Sequence, residues 1–431
     1  MDGMRLAIVR GVNDKLFYGW VMVAVGALGV FASGPGQSHT FSAFVGPISR
    51  DLGITSSQIS VAYGVATLVA AFLLPQMGRF LDRFGPRTML LVISALLGVA
   101  CLAFGAVAGF LWLAIGFGAL RFIGQGSMMM GCANLVSQWF IKSRGIAMSL
   151  MALGFGISMA VHPPLAEYLI STIGWRQAWV VLGLMTWLTM LPAVFLLVQD
   201  RPEAIGLKPD GIENANDADT TTGKAEDDEI SGLTLEEALR TSTFYILSAA
   251  FCLVAMLVTT LHFHQVAILT AQDLTSDIAA RVFTVSAIFM VACMPLVGRA
   301  FDRFPTRYVI AGALLATAAS LTLVTFATSL IGALIYAAVF GLNNALSMTM
   351  FGYIWPRYFG RKHLGSIQGT GQLIGVVGAS LGPLPLGLAF DYLDGPTATL
   401  WGLALLPLAA AAVAVAGLRT PPGVRGVAHL E

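Results

Sequence analysis

Arg121 is the residue whose chemistry is hardest to place. It lies about ten residues inside an apolar run, residues 111–136. A guanidinium stays charged at any physiological pH, and at the centre of a membrane-spanning helix it costs about 2.5–3.5 kcal/mol. Such a charge marks an ion or solute path, or else caps backbone carbonyls of a neighbouring helix. Away from the polar loops, the acid inside an apolar segment is Glu167, toward the end of its own run. A ligand carrying its own negative charge would neutralise Arg121, which points to an organic anion. Asn343 and Asn344 sit at similar depth in a later run. Their amides can hold a carboxylate or hydroxyl, or pack helices by interhelical hydrogen bonds. Gln37 and Ser38, after Gly34-Pro35-Gly36, complete the binding candidates.

A second group could move protons. His162 precedes Pro163-Pro164, and His262 and His264 share one apolar run. His39 lies in the first. Histidine titrates near neutrality and can relay a proton, although a lone one near a helix end is also a common hydrogen-bonding residue between helices. His262 and His264 are two apart, so they cannot share a helix face. His162, His262 and Glu167 are the coupling candidates. No cluster has metal-ligand spacing, and no cofactor motif is present. Cys101, Cys132, Cys252 and Cys293 all fall in apolar segments and read as small buried thiols.

The elements that position these groups must lie in lipid. The chain is 57% hydrophobic and 11% charged, where a soluble protein has about 25% charged residues. A net charge of +1 and the lack of a basic face argue against nucleic acid. Twelve apolar spans follow: about 17–48, 57–76, 88–109, 111–136, a fifth ending near Leu169 after the Pro163-Pro164 pair, 177–197, 242–270, 279–297, 306–328, 330–354, 364–390 and 396–418. Gly34-Pro35-Gly36 should bend or open the first. That run is too long for a signal peptide and lacks a cleavage site, so it reads as retained. Residues 200–240 hold 12 of the 23 acids and read as a solvated linker. It ends in a short amphipathic helix, Leu233-Thr-Leu-Glu-Glu-Ala-Leu-Arg240. The expected domains are a six-helix bundle at 1–199, the linker at 200–240, a second bundle at 241–418 and a tail at 419–431.

Gly78-Arg-Phe-Leu-Asp82-Arg83-Phe-Gly-Pro-Arg87 returns as Gly298-Arg-Ala-Phe-Asp302-Arg303-Phe-Pro-Thr-Arg307. Six of ten positions are identical at an offset of 220 residues, which marks an internal duplication. The position equivalent to Arg121 is Gly341, so the repeated fold does not itself demand the cation. With the amino terminus cytoplasmic, 20 of the 24 Lys and Arg face the cytoplasm. Arg50, Arg176 and Arg281 then lie outside, and the bias places both termini inside.

The G-x-x-x-D-R-x-x-x-R loop, present in each half, resembles the signature of the major facilitator superfamily. That resemblance implies an all-α membrane fold of twelve helices in two six-helix halves. It also implies that Asp82, Arg83, Asp302 and Arg303 gate the cytoplasmic side; the plainer reading makes them topology anchors. Phe17-Tyr-Gly-Trp20, Trp139-Phe with Arg144-Gly145-x-Ala147, Gly174-Trp-Arg-Gln-Ala-Trp179 and Arg201-Pro202 with Gly206-Leu-Lys-Pro-Asp-Gly211 are similar to the monocarboxylate-transporter and oxalate/formate-antiporter branch. The branch places an Asp–Arg pair in its eighth span. Here that span, Val282 to Pro295, carries neither, so anchoring falls to Arg121.

These readings converge on a secondary transporter of the cytoplasmic membrane. It would move a small organic anion, a monocarboxylate foremost, by alternating access with proton symport, as a monomer without cofactors. The rival cargo is a drug or neutral metabolite moved outward. An integral membrane enzyme would need nucleophile, base or metal ligands converging at one depth, and a receptor would need a larger soluble domain. Gly371/Gly375, Gly378/Gly382 and Gly154/Gly156 provide small-residue faces for close helix packing.

Overall fold

The computed structural model describes residues 16–140, 143–211, 232–360 and 364–419. It is almost entirely helical. Helices α1 (Gly19–Ala32) and α2 (Ser38–Leu52) are separated by a single 3-10 turn at Gly34–Gly36. Then come α3 (Ser56–Leu81), α4 (Arg83–Gly105), α5 (Phe110–Leu120), a π-helical segment Arg121–Met128, and α6 (Met129–Trp139). Helices α7 (Arg144–Ile173) and α8 (Trp175–Leu197) complete this series. After the linker come α9 (Leu235–Leu239), α10 (Ser242–Thr270), α11 (Ser276–Arg303), α12 (Thr306–Leu323) and α13 (Leu330–Phe359). The series closes with α14 (Leu364–Leu381), α15 (Pro383–Tyr392) and α16 (Thr397–Gly417).

Among the described residues, ten helices are long and apolar enough to cross a membrane. The other two expected spans, the first and fourth, are helical but interrupted, by the 3-10 turn and by the π segment. Side chains such as Leu188, Ile331, Leu111 and Leu405 are largely exposed on helix surfaces, as lipid-facing positions must be. Backbone groups in such helices are paired within the helix, the condition for entering hydrocarbon.

Local chemistry explains the boundaries. Helices α3 and α4 form one run, Ser56–Gly105, kinked at Gly85, whose φ is 79°, a left-handed conformation that glycine adopts freely. The Asp200 carboxylate then accepts from the Arg87 backbone N–H at 2.8 Å. Thr234 and Glu237 form a reciprocal capping box on α9, where the sequence places its short amphipathic helix. Thr241 and Thr275 cap α10 and α11 through their hydroxyls. At the far end of α4, Arg176 donates to the carbonyls of Val107 (2.7 Å) and Gly105 (3.2 Å). A cation is favourable at a helix carboxyl end.

One boundary differs from the sequence expectation. Helix α7 continues past Pro163-Pro164, as expected, and ends at Ile173, a few residues beyond Leu169. In a membrane helix, side chains and neighbouring elements re-satisfy the carbonyls that proline frees. The eleventh span is continuous, as expected, with α14 and α15 joining at Gly382, which keeps helical backbone angles. There the Thr260 hydroxyl of α10 donates to the Gly382 carbonyl at 2.6 Å. Gly378 and Gly382 both approach α10 backbone so closely that an added Cβ would strike the carbonyls of Cys252 and Met256.

The chain divides into two compact units: Met1–Phe44 with Val69–Ala225, and Val45–Leu68 with Glu226–Glu431. In the first, Phe41, Phe44, Phe104 and Phe117 pack around Trp179, with ring centroids as close as 4.5 Å. In the second, the amino end of α3 docks on α15. Asp391 accepts from the backbone N–H groups of Ser56 (3.0 Å) and Ser57 (2.7 Å), acting as a helix cap supplied by a residue more than 330 positions away. Replacing Asp391 by alanine leaves both donors bare. It should cost about 1 kcal/mol, the usual value of a lost amino-terminal cap. The readout is a lower melting temperature of the purified protein, with Asp391→Asn losing less.

Candidate functional site

The interrupted first span and the π segment of the fourth form one assembly in the first unit. Gly36 and Gly124 bring the two backbones together. A Cβ on Gly36 would strike the Leu120 carbonyl oxygen and lie 2.8 Å from the Gln125 nitrogen and 3.1 Å from the Gly124 Cα. Glycine is the residue that permits this approach. Arg121 opens the π segment and is 5% exposed, and its Nη1 donates to the Gly36 carbonyl at 3.2 Å. So the arginine does cap a carbonyl on the neighbouring span, at the place where that span is broken. Broken helices and π-bulges both concentrate at functional sites, because they remove backbone groups from regular pairing at depth.

Gln37 follows the break in extended conformation. Its side-chain amide donates to the Ser33 hydroxyl at 3.1 Å and approaches the Met129 sulfur at 3.5 Å. Ser38 begins α2 and is half-buried. Thr40 closes the turn by donating to the Gly34 carbonyl at 2.7 Å.

On α7, His162 is fully buried against the same turn. Its ring lies 4.8 Å from that of Phe31, and it occupies the space that a side chain on Gly34 would need. Its Nδ1 lies 3.1 Å from both the hydroxyl and the backbone carbonyl of Ser158. The same hydroxyl is 3.2 Å from His39 Nε2. Glu167 is half-buried on the same helix. Five residues on, it stands about 140° around the helix from His162 and is not brought to it.

The second unit contains its own buried polar group. His262 packs its ring against Phe340 (5.0 Å) and Phe283 (6.2 Å). His264 turns away, toward the Pro383 carbonyl (2.9 Å) and Ser60 (3.4 Å); the two-residue spacing separates them as expected. On α13, Asn343 accepts from the Thr317 hydroxyl at 2.9 Å. Its amide nitrogen is buried without a hydrogen-bond partner among the described residues. Asn344 instead donates to the Phe340 carbonyl on its own helix, at 2.8 Å. Tyr336 donates to Gln265 at 3.0 Å. Ser158, Gln265, Tyr336 and Thr317 were not among the residues singled out from sequence. Ser158 had a signal, lying four residues before His162 and so on its face.

Of the repeated loops, Arg83 and Arg303 are exposed, with Arg83 over the Phe84 ring at 5.2 Å. The side chains of Asp82 and Asp302 lie outside the described ones. Among the described residues no group of three or more His, Cys, Asp or Glu could hold a metal.

The model of the Major Facilitator Superfamily matches residues 26–383 and again 265–429. A probable sulfoacetate transporter of Cupriavidus necator is 29% identical over 36% of this chain and 36% of its own. The oxalate:formate antiporter of Oxalobacter formigenes is 24% identical over 50% of this chain and 47% of its own. The chain thus spans less than half the length of both these curated relatives. The crystal structure of the nucleoside transporter NupG shares the fold, with a TM-score of 0.70 at 11% identity, over 93% of this chain and 99% of that one. With the family model matched across both repeats and the helical plan shared almost end to end, the chain belongs to the Major Facilitator Superfamily, a family of membrane transporters, not enzymes.

Proposed function

We propose that this protein moves a small organic anion, a monocarboxylate foremost, across the cytoplasmic membrane by alternating access, coupled to protons. The observation that carries the reading is the buried Arg121, opening a π segment against the broken first span. A guanidinium presents paired donors that match a carboxylate, and in a low-dielectric site that match is strong. The cargoes named for the two relatives, sulfoacetate, oxalate and formate, are all anions.

The remaining roles follow on this reading. Gln37 and Ser38 bind the anion on the first span, and Asn343 and Asn344 are further binding residues. His162, His262 and Glu167 handle protons. Asp82, Arg83, Asp302 and Arg303 gate the cytoplasmic face, where both termini lie. The working unit is a monomer.

In proteoliposomes with an imposed inward proton gradient, labelled pyruvate should accumulate, and should stop accumulating when the gradient is collapsed. Uptake of a neutral sugar should not respond. Gradient-driven export of neutral or cationic drugs, with no response to pyruvate or formate, would instead favour an efflux pump.

A further inference from the structure

His39, Ser158 and His162 form an unbroken hydrogen-bonded line inside the first unit. His39 Nε2 is 3.2 Å from the Ser158 hydroxyl, and that hydroxyl is 3.1 Å from His162 Nδ1. The three side chains are 1%, 0% and 0% exposed. A serine bridging two buried imidazoles is not needed to hold α2 on α7, because apolar side chains pack there at no desolvation cost.

The hydrogen positions follow from the partners. The Ser158 backbone carbonyl can only accept, so at 3.1 Å it requires a proton on His162 Nδ1. That nitrogen also faces the Ser158 hydroxyl oxygen, and with His39 in its Nδ1-protonated tautomer the hydroxyl proton donates to the His39 Nε2 lone pair. His162 Nε2 then carries a lone pair. It is buried, has no hydrogen-bond partner among the described residues and lies beside Gly34, in the turn that interrupts the first span. A buried acceptor without a partner is costly, and its persistence calls for an explanation.

We infer that His162, Ser158 and His39 are a proton relay that loads at the span-1 break. The inference rests on the proton-coupled reading above and assigns its route. A proton arrives on the His162 Nε2 lone pair and makes an imidazolium. The Nδ1 proton passes to the Ser158 oxygen as the serine's own proton passes to His39 Nε2. One proton has entered, His162 is neutral again with its proton on Nε2, and His39 carries the charge. No oxidant or other reactant is needed. Phe31 of α1, Gly34 of the turn and Phe155 of α7 face the line. The cation on the same turn is Arg121, through Gly36. An anion docked at Arg121 offsets that positive charge and so favours loading His162, which ties cargo binding to proton entry. Glu167 and His262 are not on this path.

The decisive variant is Ser158→Ala, which removes the hydroxyl and leaves both imidazoles; Ser158→Thr restores it. In the full-length protein carrying 15N-labelled histidine, NMR titration should show the resonances of His39 and His162 moving together. Ser158→Ala should make them titrate independently, and Ser158→Thr should recouple them. Independent titration in the unaltered protein overturns the relay, and this arm needs no cargo. In proteoliposomes containing a pH dye, the protons entering per pyruvate should fall at least tenfold in Ser158→Ala and recover in Ser158→Thr. An unchanged ratio also overturns it. If pyruvate is not moved at all, the anion reading fails while the NMR result still decides the relay.

Discussion

Replacing Arg121 by alanine should reduce carboxylate uptake at least a hundredfold while leaving the protein folded. Hydrogen bonds to a charged group contribute roughly 1.5–3 kcal/mol each, and a bidentate pair makes two, so a loss of a hundredfold in affinity is the expected scale. Arg121→Lys should recover only part of it, because an ammonium keeps the charge but not the planar pair of donors. The fold should survive, since the backbone contact of Gly36 with Gly124 is independent of the Arg121 side chain. Initial uptake rates of labelled pyruvate, compared with size-exclusion profiles of the same preparations, separate lost function from lost fold.

The second large effect falls on Gly36 itself. In Gly36→Ala the new methyl group meets the Leu120 carbonyl, the Gln125 nitrogen and the Gly124 Cα, all backbone atoms that no side-chain rotation can move aside. Overpacking of this kind costs about 1–3 kcal/mol or more. The two spans must separate, and the Gly36 carbonyl leaves Arg121. The expected result is a melting temperature several degrees lower, together with loss of uptake. Gly312→Ala is the control, since a Cβ there meets nothing within 4 Å, and it should leave both quantities unchanged.

Both predictions draw on features legible at different depths. The interruption of the first span followed from Gly34-Pro35-Gly36, since glycine and proline together leave a helix few ways to continue. The opposed directions of His262 and His264 followed from helical periodicity alone. The cap on α9 could be read from a threonine three residues before a glutamate. The π segment could not, because Arg121–Met128 differs from an α-helix by hydrogen-bond offset, not by residue type. Nor could the docking of Ser56 and Ser57 on Asp391, a contact between residues far apart in the chain. Ser158 was hidden because its meaning depends on His39, 119 residues away.

The hydrogen-bonded line through His39, Ser158 and His162 and the Arg121 contact with Gly36 both border the broken turn of the first span.

The central proposal is that Arg121 binds the negative charge of the cargo. Its most direct test is the melting temperature of the purified protein titrated with pyruvate and, separately, with the uncharged amide of pyruvate. These two ligands differ little except in charge. The account predicts that pyruvate raises the melting temperature, that the amide does not, and that Arg121→Ala removes the rise. Equal stabilisation by both ligands, or a pyruvate response that survives in Arg121→Ala, would contradict it.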